Sequence, residues 1–151
     1  MPKNLDPSCS IARTLGVIGE RWTFLILREA FLGATRFAEF RDRLAVAPDV
    51  LSDRLATLVE YGVLEREPYQ RPGARSRLAY KLTPAGRELH MVLGALQQWG
   101  DLHLPRPEGP SMLRRVRGTD QPLHVAFVDD RGQEVPLADV AVIPAGSPNA
   151  A

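Results

Sequence analysis

Cysteine is almost missing from this chain. Cys9 is the single thiol in 151 residues, which excludes an intrachain disulfide framework and any zinc site built on two or more thiolates. Histidine is nearly as scarce, and His90, His103 and His124 lie far apart, without metal-ligand spacing. No long hydrophobic run occurs either. Uncharged apolar stretches such as 22–27 fall far short of the ~20 residues a membrane span requires, so no membrane partner is expected. The opening MPKNLD lacks the apolar segment of a secretory signal, which makes the cytoplasm the expected location. A phosphate-binding glycine loop, a nucleophile elbow, a metal-ligand cluster and a paired-carboxylate signature are all missing. Catalytic residues, a metal and a cofactor are therefore not expected, and the chain is not read as an enzyme.

What is present suits one ordinary soluble domain with an appendage: 44% of residues are apolar and 25% charged, the balance of a globular chain. The formal net charge of +1 conceals a local concentration. Between 66 and 81 five cations (Arg66, Arg71, Arg75, Arg77 and Lys81) stand against one acid, Glu67. Such a stretch on a nearly neutral chain points to a local polyanion contact.

The apolar spacing predicts a first helix over 9–18, from Ile11, Leu15 and Ile18, with Ser8 or Ser10 as its cap. A second helix, 23–32, is apolar nearly all round and should be the buried centre. A third, 36–44, carries Phe37, Phe40 and Leu44 on one face. A tight turn at 46–48 leads into a fourth, 48–61, that buries Leu51, Leu55 and Leu58 and ends at Gly62. The period then changes to that of two strands, 63–69 and 77–82, joined by a Pro/Gly loop. Thr83 and Pro84 open a fifth helix with a broad stripe of Leu89, Val92, Leu93, Leu96 and Trp99.

Residues 1–104 thus form a helical domain, 105–110 a linker, and 111–151 a β extension with strands over 123–128, 134–137 and 140–143 and a disordered end beyond Pro144. The expected fold class is mainly α with a small β wing: a winged helix-turn-helix plus a C-terminal β-hairpin-like extension. In that layout the outer face of the fourth helix can enter a major groove, and the ribbon 69–77 can reach a phosphate or a minor groove.

Several blocks are also familiar: CSIA at 9–12, VIGERWTFLILR at 17–28, RFAEF at 36–40, LSDRL at 51–55, LVEYGVL at 58–64 and YKLTPAG at 80–86. In order and spacing, from about Cys9 to Trp99, they resemble the HxlR family of bacterial transcriptional regulators. The resemblance implies a MarR-like winged helix, a homodimer formed by the first and fifth helices, and palindromic operator DNA read by the fourth helix. Repression is the expected mode of regulation.

On the fourth helix a step of ~100° per residue sets Asp49, Val50, Asp53, Ala56 and Thr57 opposite the leucine stripe. Ser52, Asp53 and Thr57 are then candidates for base edges and Arg54 for phosphate. The alternative is a solvated face, with Arg54 paired to Asp53 or Glu60. Arg71, Arg75 and Arg77 are candidate phosphate contacts on the wing, Arg77 matching a recurrent arginine of the family, and Arg36 could assist from the start of the third helix. All four could instead be solvated charges. Cys9 matches the N-terminal cysteine that serves some family members as a thiol sensor; a buried, inert thiol is the alternative. Arg13, one turn on, could support a thiolate. Trp22 and Trp99 read as core or interface aromatics, leaving room at a dimer interface for a small-molecule effector. A thiol-gated regulator and a winged helix repurposed for protein contacts stand as the competing functions.

Overall fold

The computed structural model describes residues 6–69 and 77–145. The elements are α1 (Ser10–Ile18), α2 (Arg21–Phe31), α3 (Phe37–Leu44), α4 (Pro48–Glu60), β1 (Leu64–Tyr69), β2 (Arg77–Leu82), α5 (Pro84–His103), β3 (Phe127–Val128) and β4 (Glu134–Val135), with a 3-10 turn at Leu137–Asp139. They fall into two compact units, one ending at Leu93 and one beginning at Gly94. Among the described residues no helix is long and apolar enough to cross a membrane.

The core of the first unit is drawn from the first four helices and the ribbon, with Ile18 the buried residue of α1. Of the stripe expected on α5, Leu89 and Leu93 pack against this core while Val92, Leu96 and Trp99 are exposed. Ile26 and Leu27 of α2, Phe40 of α3, Leu51, Leu55 and Leu58 of α4 and Leu64 of β1 are fully buried; each contributes about 1.5–3 kcal/mol relative to exposure. Arg21 is the one exposed residue of α2, as expected of the central helix. Ala45, at the end of α3, takes the left-handed region with φ 49° and starts the turn into α4. Gly62 (φ 67°) ends α4. Around it the Val63 N–H reaches the Leu58 carbonyl at 2.9 Å and the Gly62 N–H that of Val59 at 3.1 Å, so the last turn is satisfied and the chain passes straight into β1.

β1 and β2 pair antiparallel, from Leu64 opposite Leu82 to Tyr69 opposite Arg77. The segment ahead of α3 adds to this ribbon: Tyr80 N–H donates to the Thr35 carbonyl at 2.7 Å, and Arg36 bridges to Ala79. Thr83 caps α5 as expected, its hydroxyl accepting the Gly86 N–H at 3.0 Å and donating to the Gly62 carbonyl at 2.6 Å. The cap expected on α1 is not formed. Cys9 occupies that position without a side-chain bond. The Ser8 hydroxyl donates to the Asp6 carboxylate at 2.7 Å and Ser10 accepts from the Arg13 guanidinium at 3.0 Å, charged partners that outcompete a neutral cap.

The second unit is less strand-rich than its composition suggests. The hairpin is there, Phe127 opposite Val135 and Val128 opposite Glu134, turned by the Asp129 carboxylate accepting the N–H groups of Arg131 and Gln133 at 3.0 and 2.8 Å. Its strands are two residues each, however, and 140–143 is not a strand. Pro136 has no N–H to continue the ladder, and the chain winds into a 3-10 turn directly after it. An isolated bridge, Arg115 to Pro122, lies ahead of the hairpin.

Glutamines of α5 hold this segment. Gln98 clasps one residue twice, its amide donating to the Val125 carbonyl at 3.0 Å and accepting the Val125 N–H at 2.9 Å. Gln97 donates to the Met112 carbonyl at 2.6 Å. Gly94 gives the valine room, since a Cβ there would stand 2.8 Å from Val125 Cγ2 and force that side chain to shift.

Candidate nucleic-acid interface

α4 is divided by its own periodicity. Leu51, Leu55 and Leu58 turn inward, while Ser52, Asp53 and Ala56 are exposed and Arg54 and Thr57 half-buried. Thr57 donates its hydroxyl proton to the Asp53 carbonyl at 3.0 Å, so only its lone pairs remain to face outward. Arg54 makes no ion pair among the described residues, with Asp53 and Glu60 included. Its guanidinium keeps its charge-assisted donors for an outside acceptor.

The start of α3 is more occupied than a sequence pattern suggests. The Glu39 carboxylate accepts the N–H groups of Thr35 at 2.8 Å and Arg36 at 2.9 Å. Those two bonds hold its pKa below the ordinary glutamate value, and the charges of Arg36 and Arg43 act in the same direction. Arg36 lies 3.8 Å from Glu39 and 4.9 Å over the Tyr69 ring. Arg36 therefore sits where α3 meets the ribbon, with its charge shared between a carboxylate and an aromatic face.

The ribbon sorts the cations of 66–81. Lys81 pairs with Glu67, Arg66 lies 5.9 Å over Tyr80, and Arg77 is exposed at the first residue of β2. Arg71 and Arg75, with the rest of the wing tip 70–76, lie outside the described residues, as do 146–151 of the end expected to be disordered. The platform role of Tyr69 and Tyr80 was not foreseen; a tyrosine paired across the ribbon from Arg77 and one two residues before Leu82 were its only traces. The back-reaching Glu39 was readable, being an acid three residues after the residue that precedes a helix.

Cys9 is exposed at the start of α1. Arg13 does not stand free beside it: its donors go to the carbonyls of Pro7 at 2.8 Å and Ser8 at 3.0 Å and to Ser10 Oγ. Trp22 is half-buried against the core, whereas Trp99 is exposed and tilted over His103 at 4.9 Å. His90 stacks on Phe31 at 4.6 Å. Among the described residues no group of three or more His, Cys, Asp or Glu side chains could hold a metal ion.

A helix-turn-helix closed by an antiparallel ribbon defines a MarR-like winged helix-turn-helix protein. The chain belongs to the HxlR-like helix-turn-helix family, whose model matches residues 17–108. It is 48% identical over 106 residues to an uncharacterized HTH-type transcriptional regulator of Mycobacterium tuberculosis, Rv3095, a match covering 70% of this chain and 66% of that protein. The matched segment thus spans just under two thirds of that relative's length. The crystal structure of PA1607, described as a candidate transcription factor, superposes with a TM-score of 0.78 at 36% identity, covering 91% of this chain and 96% of that one. That share exceeds what residues 1–108 could supply, so the likeness extends into the C-terminal unit. The redox regulator HypR in its reduced form matches with a TM-score of 0.58 at 28% identity over 64% of this chain and 94% of its own.

Proposed function

We propose that the protein is a homodimeric, sequence-specific DNA-binding transcriptional repressor that reads palindromic operator DNA. The observation that carries this reading is the open outer face of α4, with Ser52, Asp53 and Ala56 exposed, in the same compact unit as a ribbon whose Arg77 is exposed. In this reading Ser52, Asp53 and Thr57 meet base edges, Asp53 as an acceptor for cytosine N4. Arg54 and Arg36 hold phosphates, and Arg71, Arg75 and Arg77 hold the backbone beside the adjacent groove. Two copies would set their α4 helices on half-sites about one helical turn apart, ~34 Å.

The dimer is supported by apolar residues left exposed on α1 (Ile11, Leu15) and on α5 (Leu96, Trp99). An effector pocket at that interface, a cytoplasmic location and a non-enzymatic role complete the reading. A second version is favoured by the exposed Cys9 and by the likeness to HypR: the same regulator gated by Cys9 chemistry.

The experiment is selection of the purified protein on a random DNA pool, followed by fluorescence anisotropy on the enriched sequence at two salt concentrations. The expected result is an inverted repeat bound by two protomers, with log affinity falling by about 0.9 per phosphate contact for each unit of log salt. Failure of reduced and untreated protein alike to enrich any sequence would leave two readings, a missing effector or a protein-binding winged helix.

A further inference from the structure

The C-terminal unit holds a concave site of its own. A groove of about 410 Å³ runs between α5 and the segments around Met112 and Leu123, a volume in the range of small-molecule sites. Its walls are mostly apolar, with Leu102, Met112, Leu123 and Val125 prominent. Arg114 is the one arginine or lysine in the lining.

The surroundings of Arg114 are unusual for a half-buried guanidinium. Nη1 donates to Gln97 Oε1, a neutral amide. Nε is buried and has no acceptor, and Gly94 lies against it, for a Cβ there would come within 3.5 Å. No carboxylate among the described residues lies within 4 Å of the guanidinium. Of the two other titratable groups of the lining, His124 Nε2 meets Glu134 at 3.0 Å, while Asp101 accepts from Gln97 Nε2 at 3.0 Å and keeps its charge, in the same groove but beyond ion-pair distance of Arg114. Partly removing an arginine from water is costly unless an anion compensates it. Here the protein supplies the apolar walls and the cation, and places no carboxylate in contact with it.

We propose that this groove binds a small organic carboxylate, its apolar body against Leu102, Met112, Leu123 and Val125 and its head group on the guanidinium of Arg114. A planar fork matches a carboxylate with two parallel bonds, so arginine is the suitable anchor and lysine only a partial substitute. The site is independent of the DNA-binding reading, because ligand binding is read on the protein alone.

The test is isothermal titration calorimetry on the full chain with octanoate and 2-naphthoate, and with octanamide and 2-naphthamide as their uncharged counterparts. The expected result is saturable binding of at least one carboxylate, about tenfold or more tighter than its amide. Arg114→Gln should lose that preference and Arg114→Lys retain part of it. Leu123→Glu supplies the missing anion from the segment paired with Arg114, since the Leu123 N–H donates to the Arg114 carbonyl at 2.9 Å. It should abolish carboxylate binding with the circular dichroism spectrum unchanged. Leu123 is half exposed, so this variant decides the matter if Arg114→Gln fails to fold. No saturable binding of either carboxylate up to about 10 mM, equal binding of the amides, or undiminished binding by a folded Leu123→Glu variant would each overturn the proposal.

Discussion

Arg43 of α3 reaches the buried carboxylate of Glu29 on α2, Nη1 to Oε2 at 3.5 Å, while Arg28 holds Oε1 through Nε and Nη2 at 2.9 and 2.7 Å. The pair ties together the two helices that support α4. Glu29 is the only buried charged residue among the described ones, so its truncation leaves two guanidinium groups without their shared anion. Both arginines retain contact with water, which limits the loss. Glu29→Ala is expected to lower unfolding free energy by about 1–3 kcal/mol in urea titration, and Arg43→Ala by less. Equal stability of Glu29→Ala and wild type would mean that the network is idle.

Glu39 makes a pH-dependent contribution whose sign is set by its lowered pKa. A carboxylate that is more acidic in the folded state stabilises fully above its ordinary value and loses that contribution as the pH falls through the lowered one. Glu39→Gln removes the charge that accepts the Thr35 and Arg36 N–H groups. The expected cost is about 0.5–2 kcal/mol at neutral pH. The gap between wild type and variant should narrow below about pH 4, measured as unfolding midpoints across an acid series. A gap that widens on acidification would contradict the assignment.

Arg77 and Ser52 should fail in different ways on the selected DNA. Arg77 is exposed at the ribbon's end and is assigned to phosphate, so Arg77→Ala should weaken binding to all sequences alike and flatten the salt slope by about one unit. Ser52, assigned to a base edge from α4, should leave the slope intact when replaced by alanine and cost about 1–3 kcal/mol on the cognate site only. Anisotropy titrations on cognate and scrambled duplexes at several salt concentrations separate the two patterns.

The framework was legible in the sequence because each helix of the first unit has one unambiguous apolar stripe and a punctuating residue. Leu51, Leu55 and Leu58 fix the inner face of α4, and Gly62 fixes its end. Side-chain competition was harder to read. Whether Arg36 is free for a phosphate depends on Glu39, three residues on, and also on Tyr69, some thirty residues away in the chain, which meets it only once the ribbon has paired with the segment before α3. The C-terminal strands are shorter and fewer than their residue types suggest, for a related reason. Val140, Val142 and Ile143 have strand propensity, but propensity yields to the absence of a pairing partner after Pro136. Gln97 and Gln98, which hold that unit to α5, look like ordinary surface residues of a helix until the acceptors of Met112 and Val125 arrive.

Leu96 and Trp99 lie on one face of α5 and are both more than half exposed. On the same helix Gln97 and Gln98 are already engaged by the segment that follows, so the apolar face is what α5 has left to offer a second copy. Leu96→Asp is expected to shift the protein from dimer to monomer in sedimentation velocity while the helical circular dichroism signal persists. Operator affinity should then fall by about tenfold or more, since one half-site alone supplies half the contacts. A Leu96→Asp protein that remains dimeric would place the interface elsewhere.

Cys9 offers a direct separation of the two versions of the regulator. Its thiol is exposed where α1 begins, and Arg13 fixes the adjoining loop through the Pro7 and Ser8 carbonyls. Alkylation by N-ethylmaleimide adds bulk at the start of a helix assigned to the dimer, so operator affinity should fall by about tenfold if gating is real. With one thiol per chain, diamide can yield only an intermolecular disulfide or a mixed disulfide with an added thiol. A non-reducing gel distinguishes these by mass. Cys9→Ser should bind the operator as the reduced wild type does and ignore both reagents. Binding by wild type that is indifferent to alkylation would leave the repressor reading standing and remove the thiol gate.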